Sequence, residues 1–112
     1  MTTTKPDARN SPRKTLRCHA KLIVPGAGQL NVRTADISME GVSVFVSEQL
    51  RAGQACSIAF DVTTPTGKVR SLNLEAKVIY SILSSTDGFR TGLQFTKPDV
   101  EIQKTLAELI GC

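Results

Sequence analysis

Aromatic side chains are scarce in this chain of 112 residues: they make up 4%, with no Trp and one Tyr. A surface that stacks successive bases of single-stranded nucleic acid needs several exposed rings, so that class is disfavoured. There is one His, His19, and three Cys (Cys18, Cys56 and Cys112) with no CxxC spacing. A closed zinc site takes four ligands, usually paired closely in sequence, so no metal is expected. No nucleophile–base pair can be assembled around the lone His, and no carboxylate pair has a recognisable motif context. No catalytic residue, no cofactor and no enzymatic activity are therefore expected. No apolar run approaches the roughly 18 residues of a membrane span. The opening Met-Thr-Thr-Thr-Lys-Pro-Asp holds no apolar signal segment, and the cysteine count is odd. Together these predict a cytoplasmic chain with reduced thiols.

What is present has the proportions of one globular domain, 40% hydrophobic and 21% charged. The net charge of +4 is unevenly placed. Residues 1–21 hold Lys5, Arg9, Arg13, Lys14, Arg17 and Lys21 against Asp7 alone, a net of +5 that leaves −1 for the rest. A basic arm on a near-neutral body implies an anionic partner met by that arm.

Residues 1–12 lack apolar periodicity and read as a flexible basic N-terminal arm; residues 13–112 read as the folded domain. From Leu16 the pattern has period two, with Cys18, Ala20, Leu22 and Val24 on one face. Pro25-Gly-Ala-Gly28 turns the chain into a returning strand carrying Leu30 and Val32. A third strand sets Val42, Val44 and Val46 against Ser43, Phe45 and Ser47. A fourth carries Cys56, Ile58, Phe60 and Val62, and a fifth Leu72, Leu74, Ala76, Val78 and Tyr80 on its inward face. Phe89, Thr91, Leu93 and Phe95 form the last. Then Thr96-Lys-Pro-Asp99 offers a helix start, and Ile102, Leu106, Leu109 and Ile110 form one apolar stripe. The fold class expected is all-β with one helix: a six-stranded antiparallel barrel followed by a C-terminal α-helix.

Two short patterns carry chemistry. Arg13-Lys-Thr-Leu-Arg17 is an RxxxR where the arm meets the first strand, and Asp36-Ile-Ser-Met-Glu-Gly41 is a DxSxxG between the second and third. Arg17 and Asp36 bracket one hairpin, so strand pairing brings both motifs to the same end of the sheet. Guanidiniums suit phosphate oxygens and the O6/N7 edge of guanine. An ionised Asp36 suits the N–H donors of guanine or the orientation of an arginine, and Ser38 can donate to a phosphate oxygen. Gly41 lets backbone approach a ligand closely. The bland reading stands beside this one: Asp36 and Ser38 cap a tight turn, and Gly41 relieves strain at a bulge.

The two motifs, the six-strand pattern closed by a helix, and Gly92-Leu-Gln-Phe95 on the last strand together resemble a PilZ domain, over roughly residues 9 to 110. The resemblance implies a bacterial receptor for cyclic di-GMP. It implies Arg13 and Arg17 as contacts to guanine and phosphate, and Asp36, Ser38 and Gly41 as ligand-facing positions. Arg9-Asn-Ser-Pro-Arg13 also spells RxxxR; Arg13/Arg17 is preferred because Arg17 leads directly into the strand, leaving Arg9 auxiliary. His19, beside the arm, and Tyr80, at a strand end, are further auxiliary candidates. Lys14-Thr15-Leu16 departs from the family, which often carries more Arg there. Fixing each residue of the arm costs about 1–2 kcal/mol. The ligand is therefore expected to act as a clasp that folds residues 9–17 over the barrel and makes a surface an effector protein reads, in control of motility, pili or exopolysaccharide. Two rivals remain: a barrel of the same fold that serves as a protein-interaction module without nucleotide, and a small RNA- or DNA-binding barrel. Scarce aromatics and the near-neutral body count against the second.

Elsewhere the expectations are structural. Cys18 and Cys56 are small core residues, Cys112 has no role, and Glu40 is a solvent-facing spacer. Phe45 and Ile79 sit on otherwise polar faces and mark a partner surface or pack under the helix.

Overall fold

A computed structural model describes residues 13–84 and 88–110. The elements run β1 (Lys14–Thr15), β2 (His19–Val24), β3 (Gly28–Ile37), β4 (Gly41–Val46), β5 (Ala55–Thr63), β6 (Val69–Ser84), β7 (Gly88–Phe95) and α1 (Val100–Ile110). Strands β2 to β7 pair antiparallel in the order β3-β2-β5-β6-β7-β4, and β4 pairs back onto β3. The sheet therefore closes into a six-stranded barrel, which removes the exposed edges an open sheet would present. The two-residue β1 is an addition to the expected six; it zips the RxxxR segment onto the end of β3, with Thr15 opposite Asp36.

Period-two alternation produces the interior. Ala20, Leu22 and Val24 of β2, Cys56, Ile58, Phe60 and Val62 of β5, and Leu72, Leu74, Ala76 and Val78 of β6 are all buried in one cluster. α1 adds Leu106 and Leu109 to that cluster, with Ile102 and Ile110 packed beside them. Its start is fixed by Asp99, whose Oδ1 accepts the Ile102 amide at 2.9 Å. A helix this short draws its stability from that apolar stripe.

Alternation fails at two places, and both shape the outer surface. On β3 the pairing with β4 shifts between Thr34 and Asp36, so Ala35 is an extra residue, a bulge. Val32 and Thr34 are buried, so strict alternation would drive Asp36 inward too. With the bulge, Ile37 takes the interior and Asp36 turns out. On β6 the register shifts between Val78 and Tyr80, leaving Ile79 extra. Tyr80 was expected on the inward face with Val78, and that is corrected here. An ideal Cβ on the outward-facing Gly92 would lie 2.3 Å from Tyr80 Cε2, so the ring lies across the outside of Gly92. Ile79 is left exposed at the bulge.

Cys56 is buried, and desolvation lifts its thiol to about 11 from an ordinary 9.0. It is an inert core residue, as expected from its strand face. A folded-state pKa above the unfolded one favours folding below the unfolded value and ceases to do so as pH climbs through the folded value. Stability measured by urea unfolding is therefore expected to decline between pH 9 and about 11. The decline should be shallower in Cys56→Ala; identical slopes in the two proteins would remove the thiol as its cause.

Candidate functional site

The pairing registers place the outward residues in two adjacent rows across the barrel. One runs Thr15, Asp36, Ser43, Gly92, Tyr80 over β1, β3, β4, β7 and β6. The next runs His19, Arg33, Phe45, Arg90, Ile82 over β2, β3, β4, β7 and β6. Asp36 sits where the rows meet the RxxxR segment. Its Oδ1 accepts Arg13 Nη1 at 2.6 Å and its Oδ2 accepts Arg90 Nη2 at 2.7 Å. Both guanidiniums are about half exposed, at 49% and 45%, while the carboxylate is 16% exposed. Such pairs contribute about 0–1 kcal/mol to stability, so their worth is in placing groups.

Two cavities flank the Arg13–Asp36 pair. The larger, about 560 Å³, is lined by Arg17, His19, Arg33, Asp36, Phe45 and Arg90, among others. The smaller, about 340 Å³, includes Arg13, Ser38, Gly41, Ser43 and Tyr80 in its lining. The hairpin argument thus holds in its main step: both motifs meet at one end of the sheet, in direct contact through Arg13 and Asp36. Arg17 faces the larger cavity without touching Asp36.

The backbone around Arg17 is pinned through one buried hydroxyl. Thr34 Oγ1 donates to the Leu16 carbonyl at 2.6 Å and accepts the Cys18 amide at 2.9 Å. The Leu16 amide donates to the Ala35 carbonyl at 3.0 Å, and the Thr34 amide to the Cys18 carbonyl at 2.9 Å. Leu16 and Cys18 pack against the core on either side. Residues 13–17, the described part of the 9–17 stretch expected to fold over the barrel with ligand, are thus held to β3 by the hydrogen bonds at Leu16 and Cys18. The rest of that expectation, the arm 1–12 with Arg9, lies outside the described residues, as does Cys112.

Within DxSxxG, Ser38 and Gly41 have structural duties. Ser38 is buried, and its Oγ accepts the amides of Glu40 and Gly41, each at 3.2 Å. The Ser38 amide donates to the Gly41 carbonyl at 2.8 Å, closing the turn between β3 and β4. An ideal Cβ on Gly41 would stand 2.1 Å from the Leu93 carbonyl oxygen, so only glycine fits where β4 starts against β7. Glu40 is exposed, as expected of a spacer. Tyr80 is half buried, its hydroxyl 3.4 Å from Ser43 Oγ, and its ring helps bury Ser43 and Gly92. His19 is exposed at the rim of the larger cavity.

Arg90 is the participant that the motif reading omitted. Alternation along β7 puts it outside, but its neighbours Phe45 and Asp36 follow only from the β4–β7 and β3–β4 pairings. Among the described residues, no three His, Cys, Asp or Glu gather as a metal site, and no helix is long and apolar enough to cross a membrane.

A family model, the PilZ domain, matches residues 7–111. This chain belongs to the PilZ domain family. Among solved structures, it is similar to the Bacillus subtilis inhibitor of motility (MotI/DgrA), with TM-score 0.79 and 12% identity over 96% of this chain and 50% of that one. It therefore spans half the length of that protein. It is also similar to the PilZ domain with c-di-GMP of YcgR from Escherichia coli, with TM-score 0.67 and 14% identity over 91% and 88% of the two chains. The PilZ domain of CeSA from a cellulose synthesizing bacterium gives 0.57 and 16%, over 88% and 93%. Comparison with curated proteins gives no match. At identities this low the structural likeness shows the fold alone.

In this PilZ domain Thr34 is the residue on which presentation of Arg17 depends. Thr34→Val keeps the shape but leaves the Cys18 amide without its side-chain acceptor and the Leu16 carbonyl without its side-chain donor. It is expected to cost about 1–3 kcal/mol of stability, read as a lower urea midpoint at unchanged m. A midpoint within error of the parent would show that the hydroxyl bridge is dispensable.

Proposed function

We propose that this PilZ domain is a cytoplasmic, non-enzymatic receptor for cyclic di-GMP that signals ligand occupancy to an effector protein. The observation that carries the reading is the 2.6 Å pair between Arg13 and Asp36, which joins RxxxR to DxSxxG beside a cavity lined by Arg17. Arg17, His19, Arg33 and Arg90 face that cavity, with Asp36 as the one carboxylate among the described residues of its lining. Positive charge around a single acceptor suits a ligand carrying phosphate together with guanine N–H donors. In this reading Arg13, Ser38 and Gly41 meet the ligand from the smaller cavity, and Arg17 and Asp36 from the larger, with His19 and Tyr80 at the margins. The half-exposed Arg13–Asp36 pair is cheap to rearrange, so a dianionic ligand can draw Arg13 onto itself.

Titration calorimetry with cyclic di-GMP tests this directly. The parent chain is expected to bind, and Arg17→Ala and Asp36→Ala to lose roughly tenfold or more in affinity, with unchanged urea midpoints. A folded parent that gives no heat at high micromolar ligand rejects the receptor reading. One observation favours the rival, a PilZ-fold interaction module without nucleotide: both Asp36 oxygens are already paired. The same titration separates the two.

The signalling step is assigned to the segment holding the two arginines, continuing to Arg9. Ligand contacts from Arg13 and Arg17 add to the short β1 pairing and tighten it. Amide exchange at residues 14–17 is expected to slow in saturating ligand; exchange that stays the same removes this segment from the mechanism.

A further inference from the structure

Arg90 lies outside both motifs, yet its guanidinium is held on two sides. At its edge, Nη2 donates to Asp36 Oδ2 at 2.7 Å. Against its face, the guanidinium carbon lies 5.9 Å from the centroid of the Phe45 ring. Phe45 is Arg90's direct partner across β4 and β7, and both line the larger cavity. A planar cation gripped at one edge and backed by an aromatic ring has its orientation set, and with 45% of the side chain exposed it still offers surface to a ligand. Phe45 is one of few rings in a chain with little aromatic surface. Its placement under this arginine explains why it occupies a face of β4 that is otherwise serine.

We propose that Arg90, supported by Phe45, is the base-stacking contact of this site: a guanine of the bound dinucleotide lies on the guanidinium plane while Asp36 holds its edge. The proposal rests on the cyclic di-GMP reading and adds a specificity-determining residue that neither motif contains. A flat π-surface is the class of ligand such a shelf takes, because stacking uses the face and leaves the edge donors with Asp36. Phosphate recognition falls to Arg13 and Arg17, whose guanidiniums have no aromatic support among the described residues.

The test is a calorimetric titration of the full chain with cyclic di-GMP, comparing the parent with Arg90→Ala, Arg90→Lys and Phe45→Leu, and with Arg17→Ala as reference. Arg90→Ala is expected to weaken binding by roughly tenfold or more, the scale of losing one stacked base. Arg90→Lys is expected not to restore it, since an ammonium has no planar face. Phe45→Leu should weaken binding about threefold by loosening the shelf. Binding by Arg90→Ala within about twofold of the parent while Arg17→Ala is impaired overturns the stacking role and leaves the receptor standing. Full rescue by lysine also overturns it, because charge alone would then suffice. A parent that does not bind at all takes down the receptor reading and this one together.

Discussion

The site depends on a single inserted residue. Ala35 breaks the alternation of β3, so that Thr34 points in, Asp36 points out and Ile37 points in again. A strand of strict period two would place the carboxylate inside with Val32 and Thr34, where an unpaired charge is prohibitive. The bulge avoids that cost and delivers the carboxylate to the surface beside Arg13 and Arg90. It also curves the end of β3 toward the RxxxR segment, so that Thr15 comes opposite Asp36 and Leu16 reaches the Ala35 carbonyl. Arginine pair, carboxylate and cavity are all consequences of that one irregularity.

A division of labour between strong and weak interactions follows. The backbone of the arginine segment is held by part-buried hydrogen bonds to the buried Thr34. The side-chain ion pairs to Asp36 are half exposed and nearly neutral in stability. Firm backbone with loosely held charges sets the geometry in advance and leaves the side chains free to exchange partners at small cost.

Much of this was written in the sequence, because the barrel interior obeys a local rule. Ala20-x-Leu22-x-Val24 and Cys56-x-Ile58-x-Phe60-x-Val62 declare their inward faces without knowledge of their neighbours, and Asp99 with the Ile102–Ile110 stripe declares the helix. Hairpin reasoning from Arg17 and Asp36 brings the two motifs to one end of the sheet, although the direct contact is made by Arg13. What stayed hidden needed two strands at once. A bulge changes the parity of a strand without any mark in composition, since Ala35 and Ile79 are ordinary strand residues; hence Tyr80 was placed inside when it lies outside across Gly92. Arg90 meets Asp36 only because β7 and β3 both flank β4, an adjacency across 54 residues of chain that no local pattern encodes.

The same contrast accounts for a fold shared with other PilZ domains at 12–16% identity. An interior built from alternating apolar residues accepts many sequences of suitable volume, so it imposes few identities. The outer rows tolerate far less. Gly41 is demanded by the Leu93 carbonyl, Gly92 by the Tyr80 ring, and Ser38 by two amides of the turn. These residues support the surface from beneath. A motif such as DxSxxG is therefore two constraints written in one string. Asp36 pairs with the guanidiniums of Arg13 and Arg90, while the serine and glycine answer to the turn and the barrel that present it. Where a barrel kept the second pair and lost the first, it would retain the hairpin and the fold while giving up the means to grip a guanidinium or a guanine.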